Sequence, residues 1–333
     1  MSTAAVVAVR IAAMIALLLA NGVVLIYMLR KVLGHLHRRI GPNRVGPFGL
    51  LQTTADVVKL LTKEDLMPDS ADKPLFWIAP FVVFVPSFLA YLPLAFGPTL
   101  AITRTDTGLL LGLALLSLIP IGVVMAGWAS NSKWSLVGGM RAAGQQIAYE
   151  VPLLLSVLGP VMMAGSLDFS HIVEAQKNVW FVFPQFVAFV VYAIAAQADA
   201  QQTPFDMAEA ESELIAGYAN EYGGMRFGFL FLAEFSNMFI VSAIGTTLFF
   251  GGWYLPFLSG NAIALQFAPV IFMIKVYMGI FVMMWARGSL PRIRVDQLLS
   301  FAWKGLIPVS LAWVVISAVA VRLWPFFAGL VSR

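Results

Sequence analysis

An all-α, polytopic membrane fold of about eight transmembrane helices is what this sequence predicts, and three observations predict it. Hydrophobic residues fill 60% of the 333 positions and charged residues 11%, with a mean hydropathy of +0.86. A water-soluble domain carries roughly 25% charged residues, so the chain lacks the polar cover of a soluble surface. The charges are also clustered, which leaves long uncharged runs between them. A hydrocarbon layer of about 30 Å takes roughly 20 apolar residues per helix, because every backbone group must be satisfied within the segment. Eight stretches meet that requirement, at about 11–29, 74–96, 108–128, 147–165, 179–198, 227–250, 266–286 and 303–327.

Each span has its own punctuation. Arg30 and Lys31 close the first like a stop, and its apolar run exceeds a signal-peptide core, so it reads as a retained anchor. The second holds Pro80, Pro86 and Pro93 and is expected to kink. Gly251, Gly252 and Pro256 end the sixth. The chain reads as one transmembrane domain, 1–333, with three informative loops at 30–73, 199–226 and 287–302. Fifteen of the 21 basic residues fall in loops one, three, five and seven, against only Arg104 and Lys177 in loops two, four and six. Basic loops stay in the cytoplasm, so the odd loops are expected there and both termini outside. The net charge of +4 is this bias and does not point to nucleic acid. With no cysteine, the chain itself offers no thiolate site for zinc or an iron–sulfur cluster. His35, His37 and His171 are too scattered to form an obvious haem or metal site. Any redox group therefore belongs to a partner or to a diffusible ligand.

Loop one runs Arg38-Arg39-Ile40-Gly41-Pro42-Asn43-Arg44-Val45-Gly46-Pro47-Phe48-Gly49, where glycine and proline force turns. An amphipathic helix follows at 49–63. Gln52, Asp56, Lys59 and Lys63 form one polar stripe, and Leu50, Thr54, Val57 and Leu61 form a second stripe, widened by Leu51 and Val58. Such a helix either lies on the bilayer surface or forms a wall against a partner subunit. Loop five is acidic, with Asp199, Asp206, Glu209, Glu211, Glu213 and Glu221 and no base between the first and the last. Thr203-Pro204-Phe205-Asp206 reads as a helix start with Thr203 as N-cap. The helix dipole explains Asp206, but not acids persisting to Glu213. Crowded carboxylates hold protons more tightly, which suits proton-accepting sites. Loop seven carries Arg287, Arg292 and Arg294, either as a positive-inside anchor or as partners for the loop-five acids or for a polar ligand head.

Ionisable residues within spans are costly and are functional candidates by default. Glu150, Asp199 and Glu234 come from three successive spans and fall in the cytoplasmic half. Lys275 falls about ten residues into the seventh span, roughly 15 Å deep and near mid-bilayer. A path from the loop-five acids through Asp199, Glu150 and Glu234 toward Lys275 would suit stepwise proton transfer. The alternative is internal ion pairing that only holds helices together.

Four ordered blocks then resemble one family. They are the loop-one string around Gly41-Pro42-Asn43 with Gly49, Gln52, Asp56 and Lys59; Arg141 through Gln145 to Tyr149-Glu150; Pro204-Phe205-Asp206-Met207-Ala208-Glu209-Ala210-Glu211-Ser212-Glu213-Leu214, continuing through Gly217 and Glu221-Tyr222 to Glu234; and loop seven. Together they look like one membrane-subunit family of respiratory complex I, the NADH:quinone oxidoreductase, in register from residue 30 to 304. Its members are the bacterial H subunit and its mitochondrial equivalent, NADH dehydrogenase subunit 1. The resemblance implies a multi-pass subunit of the bacterial inner membrane forming the mouth and part of a chamber where a quinone, ubiquinone or menaquinone, is reduced as substrate. No iron–sulfur cluster, flavin or haem would be bound by this chain. Electrons would come from the iron–sulfur and quinone-site subunits of a peripheral arm, and other membrane-arm subunits would be neighbours in the bilayer. By resemblance Arg30, Glu213, Phe231 and Arg287 line the quinone passage. Asp206, Glu209 and Glu211 lead from it, and Asp199, Glu150 and Glu234 continue the proton path. Arg39, Gln52, Asp56, Lys59, Arg292 and Arg294 are expected at a partner interface. The sequence departs from the family before Pro204, where Asp199-Ala200-Gln201-Gln202 stands in place of Glu-x-Asn-Arg, and at Ala148 in place of a serine.

Two other functions compete. The equivalent subunit of a membrane-bound hydrogenase would have no quinone site, and a stand-alone ion or proton transporter would use the buried carboxylates alone. Loops five and seven favour an assembled complex, since a solitary carrier needs no large docking surface. Topology is directly testable. A cysteine placed at Asn131 should react only with reagent on the cytoplasmic side, and one at Asn261 only from outside; the same side for both would overturn the helix count.

Overall fold

The computed structural model describes residues 3–98, 100–207, 216–255 and 266–331, with side chains from Val9 in the first helix and as far as Leu323 in the last. Each of the eight apolar stretches overlaps helix. In chain order the helices are α1 (Thr3–Leu36), the short α2 (Gln52–Thr62), α3 (Lys73–Leu89), α4 (Gly108–Leu116), α5 (Ile119–Ala129), α6 (Lys133–Ala164), α7 (Phe169–Ala175), α8 (Phe186–Asp199), α9 (Gly224–Phe249), α10 (Ala268–Ser289), α11 (Val295–Phe301) and α12 (Ile307–Val331). Six helical segments are long and apolar enough to cross a membrane, counting α4 with α5 and α11 with α12, while α3 and α8 are apolar but shorter. The protein is thus a polytopic all-α membrane protein.

The departures from the predicted bounds have local causes. α3 keeps Pro80 and Pro86 inside it but stops at Leu89, so Pro93 lies past its end. α6 begins 14 residues before the predicted span at 147, because its first turns are built from small and amide residues that hydropathy discounts. Ser135, Gly138, Gly139, Ala142, Ala143, Gln145 and Gln146 are all buried there. A Cβ on Gly138 would stand 2.7 Å from the Gly217 Cα, so α6 and the loop-five backbone touch only because no side chain intervenes. The third span is broken at Ser117–Leu118, where Pro120 has no N–H to return to the Leu116 carbonyl. The last span carries a π-helical turn at Ala302–Leu306 between α11 and α12. Loop seven is shorter than expected, since α10 runs to Ser289 and α11 starts at Val295. The expected helix start at Thr203 is corrected: residues 203–205 form a turn containing a cis Thr203–Pro204 bond, and Asp206 bonds a side chain of loop seven.

α6 is the hub, packing against α5, α8 and α12, while α9 sits among α1, α2, α3 and α10. The odd loops gather at one end. Asn131 Nδ2 donates to the Ser70 carbonyl, joining loops three and one, and Ile293 N–H donates to the Pro204 carbonyl, joining loops seven and five. At the other end Arg10 donates to the Ile102 carbonyl, and the Lys177 ammonium lies 5.5 Å from the Tyr254 ring centroid. This sorting of loops is what helices crossing in alternate directions produce.

A clamp that the charge pattern alone does not single out ties loop one to α3 and α9. Arg226, only 8% exposed, places its Nε 3.0 Å from Asp65 Oδ2. Its guanidinium lies 4.0 Å from the Trp77 ring centroid and 5.2 Å from that of Phe76, which stacks on Tyr222 at 4.1 Å. Desolvated cation–π contacts contribute roughly 2 kcal/mol. Losing one partner of a fully buried pair costs about 3–5 kcal/mol, but Asp65 is 38% exposed and re-hydrates. Arg226→Ala should therefore cost about 2 kcal/mol and lower the heat-denaturation midpoint, with Arg226→Lys between it and the parent. Equal midpoints for all three would show the clamp to be idle.

Candidate functional site

The site is built where α8 ends, α9 begins to bury itself and α10 reaches the odd-loop end. α9 brings Glu234 inward among apolar neighbours, and its side chain is 11% exposed. The chain leaving α8 turns back through Gln202, whose N–H donates to the Gln197 carbonyl, so that the Gln202 side chain, 1% exposed, meets Glu234. Gln202 Nε2 donates to Glu234 Oε1 at 2.8 Å, and Gln202 Oε1 accepts from Arg287 Nη1 at 2.6 Å. Arg287 Nη1 itself stands 3.6 Å from Glu234 Oε1, close enough for charge attraction but too far for a hydrogen bond. The amide can face only one way. A guanidinium has no acceptor, so the amide oxygen must turn to Arg287 and the NH2 group to the carboxylate.

A second ion pair closes the same end. Arg292 Nη2 donates to Asp206 Oδ2 at 3.2 Å, and Asp206 is 6% exposed. Among the described residues, loops five and seven are thus joined by the Ile293–Pro204 backbone bond and by Arg287 and Arg292. Tyr149 adds a link, donating to the Leu298 carbonyl at 3.0 Å while its ring lies 5.4 Å from that of Phe205.

Asp199 connects this cluster to the interior. Asn237, one turn beyond Glu234, donates to the Asp199 carbonyl at 3.1 Å and to its Oδ2 at 3.3 Å. Gln145 Nε2 donates to the Ala198 carbonyl at 2.7 Å and fixes the end of α8 against α6. Asp199 is a wall of two small cavities. One, of about 20 Å³, is lined also by Gln146, Tyr218, Glu234 and Asn237. The other, of about 10 Å³, is lined also by Ser117, Pro120 and Glu150. The break between α4 and α5 opens the second. Each cavity is near the size of one water molecule; the first has several polar walls, and the second sets Ser117, Glu150 and Asp199 among leucines.

The sequence-predicted residues do not all fall together. Glu234, Arg287, Asp206, Arg292, Asp199 and Glu150 are brought together as described. Arg30 and Asp56 form a separate ion pair between α1 and α2, with Gln52 Nε2 donating to the other Asp56 oxygen at 3.3 Å. Gln52 and Asp56 thus turn into the protein, while Arg39, Lys59 and Arg294 are exposed. Phe231 stacks with Phe227 at 5.7 Å and meets Phe235 edge-on at 4.9 Å along α9. Glu209, Glu211 and Glu213 lie outside the described residues. Lys275 stands apart from the acids: its ammonium reaches carbonyls of residues 250–254, past the far end of α9. Sixteen residues separate Glu234 from Phe250, about 24 Å along the helix.

The partners that sequence reasoning passed over are amides. Gln145, Gln202 and Asn237 are each buried, and each satisfies a backbone or carboxylate group at the site. The available signal was their position beside acids within apolar runs, where an amide is nearly as costly as a charge unless bonded.

Comparison with known proteins agrees with this architecture. The profile of the NADH dehydrogenase family matches residues 9–318. The protein of Brevibacillus brevis named as the H subunit of NADH-quinone oxidoreductase is 50% identical over 298 residues, which cover 89% of this chain and 87% of that one. Its namesake from Geobacillus kaustophilus is 50% identical over 299 residues, covering 89% and 88%. A third, from Bacillus thuringiensis, is 48% identical over 301 residues, covering 89% and 88%. A family match over nearly the full length, with half of the residues shared with such relatives, means that the chain belongs to the NADH dehydrogenase family.

Proposed function

We propose that the chain is a membrane subunit of an NADH:quinone oxidoreductase, respiratory complex I, and that its odd-loop end forms part of the site where quinone is reduced. The names of its relatives carry both the complex and the quinone. The observation that carries the mechanistic reading is the polar series Arg287–Gln202–Glu234, Asp199 and Glu150, whose acids line two water-sized cavities, with Arg292–Asp206 bonded across the same two loops. A two-electron reduction of a quinone consumes two protons, and the charge change must be answered nearby. Glu234 and Asp199 line one of these water-sized cavities and Asp199 and Glu150 the other, so that a proton shift would pass from the chamber side along these three acids.

In this reading electrons arrive from an iron–sulfur subunit of a peripheral arm docked on the odd loops, which face the cytoplasm of a bacterial inner membrane. The exposed Arg39, Lys59 and Arg294 supply charge to that interface. The apolar residues at and before α2, with Leu50, Leu51, Val58 and Leu61 each more than half exposed, supply area. Arg30, Arg287 and Phe231 would flank the quinone passage, with Glu213 beside them. Glu209 and Glu211 would extend the acidic path toward the chamber.

Asp199→Asn keeps shape and hydrogen-bonding reach but removes the exchangeable proton between the two cavities. In membranes with matched amounts of assembled complex, quinone reduction coupled to proton uptake should fall at least tenfold, a barrier increase of about 1.4 kcal/mol. Glu174→Gln, exposed on α7 at the opposite end, is the control and should match the parent. Parent-like activity of Asp199→Asn would remove the series from the mechanism. Gln202→Leu, which fills the space but breaks the bridge between Arg287 and Glu234, should assemble and lose most turnover. If it runs at the parent rate, the amide is only a filler.

A further inference from the structure

Lys275 is a charge within the seventh span, set apart from the acid cluster, and its surroundings define a site of their own. Its Nζ donates to the carbonyls of Phe250 at 2.7 Å, Gly252 at 2.8 Å and Tyr254 at 2.6 Å. A primary ammonium has three N–H donors and no acceptor, so the three oxygens match it one for one. A further side is covered by the indole of Trp180, whose centroid lies 4.6 Å from Nζ. The carbonyls come from the last residue of the helix end and the turn after it, where a helix leaves acceptors unsatisfied and its dipole is negative.

The turn is shaped to present them. Gly251 and Gly252 have φ of +66° and +52°, which curl the chain back over the end of α9. A Cβ on Gly251 would stand 2.8 Å from Trp180 Cδ1, and one on Gly252 would stand 2.5 Å from Val173 Cγ2, so both positions need glycine for space as well as conformation. Gln176 braces the turn from behind: its Oε1 accepts from the N–H groups of Gly251 and Phe181, and its Nε2 donates to the Thr247 and Ile172 carbonyls. The oxygens are held by this framework independently of Lys275, which arrives from a different helix.

We propose that the Phe250, Gly252 and Tyr254 carbonyls, with the Trp180 ring, form a binding site for a primary alkylammonium ion, occupied from within by Lys275, which thereby ties α10 to the end of α9. The site selects for primary ammonium because a quaternary ion brings no N–H and a neutral alcohol brings one donor and no charge. Its work is cohesion between two spans at the end opposite the quinone-side cluster.

The test uses the full-length chain in its native membranes, read as the fraction still extractable in folded form after a graded heat step. It does not depend on any catalytic assignment. Lys275→Ala removes the tethered ion and leaves room for n-propylammonium. Its midpoint should fall several degrees below the parent and rise again with n-propylammonium, while n-propanol and tetramethylammonium leave it low. Lys275→Met, which fills the space with no charge, should also sit low and gain nothing from n-propylammonium. Equal rescue by n-propanol would mean a cavity being filled, and would overturn the proposal. So would a Lys275→Met chain as heat-stable as the parent. Should Lys275→Ala fail to accumulate, Lys275→Arg against Lys275→Met decides: retention of the arginine chain alone supports a cation site, and equal retention of both overturns it.

Discussion

A carboxylate taken out of water costs several kcal/mol unless charge and hydrogen bonds are returned to it, and Glu234 receives both from segments far apart in the chain. The charge comes from Arg287 at the end of α10, and the hydrogen bond from Gln202 in the turn after α8. Satisfying one buried acid therefore fixes the mutual position of α8, α9 and α10 at the odd-loop end. The same requirement recurs at Asp206, which draws Arg292 across from loop seven, and at Asp199, which is held by Asn237. Loops that a membrane protein would otherwise leave loose become a single polar assembly.

That assembly has an uneven distribution of charge, which gives it chemical use. Arg287 and Arg292 both belong to the loop-seven end, where they pair with Glu234 and Asp206, while Asp199 and Glu150 share a cavity without either arginine. Inserting a neutral amide between Glu234 and Arg287 holds them 3.6 Å apart and prevents a direct fork of hydrogen bonds. A pair locked by a bidentate arginine has little freedom to exchange a proton. A carboxylate that is attracted to a cation but bonded to an amide retains an oxygen for a neighbouring water. The small cavity against Asp199 is where such a water fits.

The spans were legible because they depend on a bulk property, runs of about 20 apolar residues. The extent of α6 was not, because Gly138, Gly139, Ala142 and Ala143 pack by smallness and carry no strong hydropathy signal. The break at Ser117 was also passed over, although Pro120 marks it. At the site, charged residues were legible as costly exceptions within apolar sequence. Their partners were not, since Gln202, Asn237 and Gln145 bond across 32 to 53 residues and no local pattern announces such pairs. Arg226 reads in the sequence as loop charge, yet it is buried over Trp77.

Lys275 shows why depth along a span is a poor guide to where a long side chain acts. Its Cα lies a few turns inside α10, but four methylenes carry the ammonium to the carbonyls at the end of α9. Carboxylates have shorter reach and no intrinsic three-donor geometry, so Glu234 and Asp199 must be met where they stand, by residues brought to them. The two kinds of buried charge therefore organise the protein differently. The acids gather loops around a fixed interior point, whereas the lysine seeks out unsatisfied backbone at a helix end. One end of the bundle gathers buried acids and their partners, and the other is tied by a cation whose three donors are all spent.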